Sequence, residues 1–273
     1  MTSIIKIKIH IKGDIMFSEK ERCIYGRNQL AEVICQLRFP EILTINTTPP
    51  AEFQELIRAE YPQYSSAAEA PAPRVIGVPG NLQVQNQPIT LNYQFSSADG
   101  VWRVNLTSKF ISLSCANYTQ WENFAKKLDG PLAAFIRVYK PAYFERIGLR
   151  YLNFISREAL ALTEVPYRDL ISPTYLGLLG DEDIQEEVTL RSSVDGEIAI
   201  HGGCHVKIHA GPGMVKQNGQ QQKEVKFIFD QDLYMSGNIP VNISAGALET
   251  LHSQAYPIFR NAITDTLHNA MEP

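Results

Sequence analysis

The chain predicts an α+β fold, with antiparallel sheets and long amphipathic helices laid against them. Three observations carry this. Several short runs alternate apolar and polar residues with period two. Two long stretches instead place apolar residues at three- and four-residue steps. The connections between many strand-like runs are too short for crossover helices, so those neighbours run antiparallel.

The elements follow in order. "IIKIKIHIK" sets Ile5, Ile7, Ile9 and Ile11 against Lys6, Lys8, His10 and Lys12. Met16 follows it and offers an alternative start, so residues 1–15 are expected to be an upstream extension or tag-like segment. "AEVICQLRF" (31–39) alternates Val33, Cys35, Leu37 and Phe39 with Glu32, Ile34, Gln36 and Arg38, as a strand does. Pro49-Pro50 opens a short helix with Phe53, Leu56 and Ile57 on one face. "SSAAEAPAPRVIGVPG" (65–80) reads as a loop. Strands at 89–96, 100–107 and 109–116, joined by "SADG" and "TSK", form a meander. "QWENFAKKLDGPLAAFIRVY" (120–139) is a helix with a stripe of Trp121, Phe124, Leu128, Leu132, Phe135 and Ile136. Asn117 or Thr119 is its expected cap, and Gly130-Pro131 its expected kink or break. A strand at 143–155 closes this half.

The second half carries an acidic run, "DEDIQEE" (181–187), read as a solvated loop. Strands are predicted at 187–193, 195–210 and 223–230, with "VDG" and "GPGMVKQNGQQQ" as turns. Residues 244–271 read as one long helix, capped by Ser244, with Leu248, Leu251, Ala255, Ile258, Phe259 and Ile263 inward. Residues 16–273 are therefore expected to form a single α+β domain. Its halves, 16–160 and 161–273, each run three strands and then a long helix, the order of a βββα pseudo-duplication, though no residue-level identity supports one.

Composition narrows the function. The 273 residues are 44% hydrophobic and 20% charged, enough to bury a core without staples. The net charge of −4 gives no global field for nucleic acid, although strand-borne aromatics and arginines would suit stacked bases. Four scattered cysteines with no C-x-x-C predict reduced thiols and a cytoplasmic setting. No run approaches the roughly 20 apolar residues of a membrane span. The phosphate-loop, dinucleotide and nucleophile-elbow motifs do not occur, so no cofactor is expected. His252 and His268 lie on the last helix, and His252, close to its stripe, is expected to be a surface or boundary residue rather than a catalyst.

"HGGCHVKIHAGPG" (201–213) gathers three of six histidines beside Cys204. As a strand it turns Cys204, Val206 and Ile208 one way and His205, Lys207 and His209 the other. His205 and His209 would then stand about 13 Å apart, too far to share zinc. The expected reading is a strand with a solvated His/Lys face. A metal site of His201, Cys204, His205 and His209 is the alternative.

"YFERIGLRYLNFI" breaks the local pattern. Arg146, Gly148 and Arg150 share a face with Phe144, Leu152 and Phe154. Like charges two residues apart repel unless anions stand between them. The partners are either internal carboxylates, with Glu32, Glu145 and the acidic run as candidates, or an external carboxylate or phosphate. Arg38 could join the cluster.

The blocks "NQLAEVICQLRF" (28–39) and "RIGLRYLNFI" (146–155) resemble the two hallmark blocks of a sporadically distributed family of uncharacterised bacterial proteins. The matching residues are Asn28, Leu30, Glu32, Val33, Leu37, Arg38 and Phe39, then Gly148, Leu149, Arg150, Tyr151 and Asn153. The resemblance implies a final long amphipathic helix and no known activity. The expected function is a non-catalytic binding or regulatory module that recognises a protein partner or an anionic small molecule through Arg38, Arg146, Arg150, Tyr151 and Asn153, with homo-oligomerisation left open. The alternative is a metal-assisted hydrolase or nuclease-like enzyme built on the histidine segment.

Overall fold

A computed structural model describes residues 17, 21–69, 74–78, 81–85, 90–217 and 220–273. The alternating stretch at 5–12 and the start at Met16 lie outside them. The described elements run β1 (Leu30–Arg38), α1 (Leu43–Thr47), α2 (Ala51–Ile57), β2 (Gln63–Glu69), β3 (Arg74–Val78), β4 (Asn81–Gln85), β5 (Thr90–Ser96), β6 (Trp102–Leu106), β7 (Phe110–Cys115), α3 (Trp121–Tyr139) and β8 (Phe144–Ile155). There follow α4 (Arg157–Leu160), α5 (Tyr167–Leu170), β9 (Val194–Ile200), β10 (Cys204–Gln217), β11 (Gln220–Ile239), α6 (Ser244–Ala262) and α7 (Asp265–Ala270).

The predicted α+β class holds, and its sheets merge into one. Nine antiparallel strands lie in the order β2-β5-β6-β7-β1-β8-β11-β10-β9, and β3-β4 is a separate hairpin. The meander β5-β6-β7 fills one side and β9-β10-β11 the other, joined through β1 and β8. Helix α6 packs on β8 and β11, and α3 on β7 and α2. The face beneath them is the core, with Val33, Cys35, Leu37, Leu113, Phe135, Leu149, Phe229, Leu233 and Leu251 each fully buried.

Several sequence expectations need correction. The loop expected at 65–80 contains the end of β2 and all of β3. The strand expected at 187–193 is absent there. Glu186–Val188 form a single 3-10 turn, and β9 begins at Val194. The strand expected at 195–210 is two strands. Gly202 and Gly203, with φ of 74° and 72°, supply the left-handed conformations that fold β9 back onto β10. Strand β11 continues nine residues past the expected end at 230, to Ile239. The long C-terminal helix stops at Ala262. There the buried Arg260 guanidinium donates to the carbonyl of Ile263 and pairs with Asp265, and α7 starts anew.

Helix α3 is not split at Pro131. A proline removes the N–H that would bond the carbonyl four residues earlier. That carbonyl, of Lys127, instead accepts from the Tyr61 hydroxyl at 2.9 Å. The helix therefore keeps its partner count and runs unbroken to Tyr139. Neither Asn117 nor Thr119 caps it; Gln120 stands at that position without a side-chain bond. Ser244 is the first residue of α6 rather than its cap, and its hydroxyl donates to the carbonyl of Val241 at 2.8 Å.

Candidate ligand-binding site

The residues expected to recognise a ligand divide between the two faces of the sheet. Side chains alternate along β8. Arg146, Gly148 and Arg150 point to the face away from the helices, while Tyr151 and Asn153 point under α6. The five-residue cluster does not converge.

On the polar face each arginine has an internal partner. Arg150 Nε donates to Asp230 Oδ1 at 2.7 Å, with a second bond from Nη2 to Oδ2. Arg146 Nη2 contacts both oxygens of Asp232 at 2.8 and 2.7 Å. To get there Arg146 runs over Gly148 and rests 4.5 Å above the Tyr234 ring centroid. The partners are thus Asp230 and Asp232 of β11, not Glu32, Glu145 or the acidic run. Arg38 faces Arg146 across β1–β8 and is exposed. The Asp230 bond raises the Arg150 pKa further, against the opposing effect of burial.

The histidine segment alternates as expected. Cys204 and Val206 are fully buried, while His205, Lys207 and His209 share the polar face with Asp195, Glu197 and Asp232. His205 is not simply solvated. Its ring stacks on Tyr234 at 5.1 Å, and its Nδ1 is buried without a hydrogen bond. His209 Nδ1 lies 2.7 Å from Asp195 Oδ1. Cys204 lies on the opposite face and His201 in the turn, so the four candidate ligands do not meet. Among the described residues no three His, Cys, Asp or Glu side chains are grouped to hold a metal.

The helix-covered face holds a cavity of about 90 Å³. Its floor is Tyr151 and Asn153 of β8 with Gln231 of β11; its walls are Tyr118, His252 and Ala255. The segment Arg22–Tyr25 and Asn28 also line it. That segment is tied down by two backbone bonds, Gly26 N–H to the Glu272 carbonyl (2.8 Å) and Arg27 N–H to that of Met271 (2.9 Å). Tyr25 Oη lies 2.9 Å from His268 Nδ1.

His252 is the hub. It is 9% exposed, not the surface or boundary residue that its helical position suggested. Arg22 Nη1 lies 2.7 Å from Nε2, and Tyr151 Oη lies 2.8 Å from Nδ1. A guanidinium only donates, so Nε2 must accept. Trp121 stacks flat on the imidazole at 4.5 Å and 9°, and its indole N–H donates to Glu249 at 2.6 Å. Burial and the adjacent guanidinium push the His252 pKa down to about 4. The ring is therefore neutral at pH 7. Burial drives the Tyr151 phenol well above its usual value, so it stays protonated.

Two groups in this cavity are unsatisfied. Gln231 is 2% exposed and its Oε1 has no partner. The Tyr118 hydroxyl is buried and has none either. Burial raises its pKa, against the lowering effect of the adjacent Arg22 and of the Tyr151 hydroxyl beside it. An unpaired buried polar atom costs about 1–3 kcal/mol. Sequence reasoning passed over Gln231, Tyr118, Arg22 and the role of His252. One signal was present: Phe227, Phe229, Gln231, Leu233 and Met235 alternate on one face, and only Gln231 is polar.

No family model matches the chain, and no curated protein matches it. No helix among the described residues is long and apolar enough to cross a membrane.

Proposed function

We propose that this chain is a non-catalytic binding or regulatory module that holds a small molecule in the cavity between β8, β11 and α6. The observation that carries this reading is the buried Gln231 Oε1, which lacks a partner in the wall of a formed cavity. Proteins rarely leave such a group unpaired unless something else fills the role. Asn28, Tyr151 and Asn153, which carry the family resemblance, line the same cavity. The anionic ligand expected at Arg146 and Arg150 is less well supported, because each arginine is already matched by an aspartate. The four free thiols fit a reducing, cytoplasmic setting. The repeated order of a meander and then a long helix fits a duplicated βββα unit.

Native mass spectrometry of gently purified protein tests the reading. Wild type is expected to carry a small added mass that Ala255→Leu, which fills the cavity, does not. Equal masses for both, with no small molecule shifting the melting of either, would refute it.

A second reading, recognition of a protein partner, rests on a separate cleft of about 500 Å³ between the 179–192 segment and the β10–β11 ribbon. Leu190, Met214 and Val225 line it, and all three are exposed. Loss of a partner on Leu190→Asp, with the cavity untouched, would favour it.

A further inference from the structure

We infer that the cavity takes a small carboxylate, held by the Arg22 guanidinium and the Tyr118 hydroxyl. This rests on the proposed binding role and names the ligand class for that same site.

The charge of the lining carries the inference. Among the described residues around the cavity there is one formal charge, the Arg22 guanidinium, and no aspartate or glutamate. Glu122, whose charge also reaches His252, is exposed in the first turn of α3 and does not line it. The group that Arg22 touches is a ring, not an acid: Nη1 lies 2.7 Å from His252 Nε2. A guanidinium has no acceptor atom, so Nε2 accepts and the imidazole is neutral. The positive charge is therefore not cancelled by the lining. Arg22 is itself exposed, so an incoming carboxylate reaches its remaining N–H groups without prising apart an ion pair in the cavity.

The polar groups behind it add donors. With Nε2 accepting, His252 Nδ1–H donates to Tyr151 Oη at 2.8 Å. Tyr151 in turn directs its own proton to the adjacent Tyr118 hydroxyl. The Tyr118 proton then meets no acceptor among the described residues. The relay that starts at Arg22 thus ends at Tyr118, and both ends are donors in the lining. Gln231 does not oppose an anion, because half a turn of its amide puts N–H where Oε1 stands. A carboxylate answers the charge and both donors. An ammonium would meet a like charge with no acid in the lining to offset it, and a neutral amide would leave the guanidinium unpaired. The cavity of about 90 Å³, walled also by Leu30, Ala255 and Phe259, leaves room for a short apolar tail.

Three probes of matched size separate the classes: propionate, propionamide and propylamine, titrated by saturation-transfer NMR at pH 7 and constant ionic strength. Propionate is expected to bind wild type about tenfold more tightly than either of the others. Arg22→Gln should bring propionate down to the level of propionamide and leave propionamide within about threefold of wild type. Arg22→Lys should keep part of the preference. Ala255→Leu, which fills the cavity, should silence all three. Propionamide or propylamine binding at least as tightly as propionate overturns the ligand class and leaves the cavity reading standing. A propionate preference that survives in Arg22→Gln, or propionate binding that survives in Ala255→Leu, also overturns the inference, because the anion is then read elsewhere. Silence from all three probes on wild type overturns both the class and the cavity reading.

Discussion

Arg146 crosses the Cα of Gly148 to reach Asp232: a Cβ placed on that glycine would lie 2.2 Å from Arg146 Nη1. The glycine serves not a turn but the passage of a neighbouring side chain. Gly148→Ala is expected to cost about 1–2 kcal/mol by displacing the guanidinium. In an Arg146→Ala background the same change should be neutral, or gain up to about 1 kcal/mol, since alanine suits a strand better than glycine. Chemical denaturation of the four proteins closes the cycle. Equal cost in both backgrounds would show that the crossing is not what selects glycine.

The aspartates of β11 leave little for an external anion to neutralise. Sulfate is expected to shift the melting temperatures of wild type and Arg150→Met by the same amount, from a lower baseline in the variant. A shift found in wild type and lost in the variant would restore anion recognition to this face.

The two strand histidines should differ. His205 stacks on Tyr234, whereas His209 sits in an exposed pair with Asp195. His205→Ala is expected to cost about 1 kcal/mol through the lost ring contact. His209→Ala should stay within about 0.5 kcal/mol. Identical melting curves for the two variants would place both rings in solvent.

His252 makes stability depend on pH. Its folded pKa of about 4 lies below the unfolded value near 6.5. The unfolded chain therefore binds the proton first, and the contribution is present above pH 6.5 and lost as pH falls toward 4. The groups facing it are Arg22, Tyr151, Trp121 and Glu122. The shift corresponds to at most about 3 kcal/mol. Urea titrations between pH 7 and 4.5 should show a steeper loss for wild type than for His252→Gln. Trp121 emission in a Trp102→Phe background should quench only as pH falls through about 4, where the folded ring takes up its proton. Parallel losses would place the titration elsewhere.

Period-two and period-3.6 patterns made β1, β5–β8, α3 and α6 legible, because each buries one face. The boundaries that failed were set by partners that the sequence does not display locally. Tyr61 rescues the carbonyl below Pro131 from 66 residues away. Strand β2, weakly patterned as Ser-Ser-Ala-Ala, exists because β5 offers its edge. The arginine pair announced itself as a charge problem, but its solution lay 80 and 86 residues downstream. The cavity was half legible: Tyr151 and Asn153 were picked out, but grouped with arginines on the other side of the sheet. Nothing in local spacing joins Arg22 to His252.

That last pairing spans 230 residues. At about 5–20 residues per second, a ribosome releases His252 roughly ten to fifty seconds after Arg22. Throughout that interval the cavity lacks its α6 wall, and Arg22–Tyr25 cannot dock until α6 and α7 exist. A ligand held there can stabilise only the finished chain, by mass action on the closed form. A nascent or prematurely ended chain, whatever sheet it has already built, gains nothing from the same ligand, and proteolysis can tell the two apart.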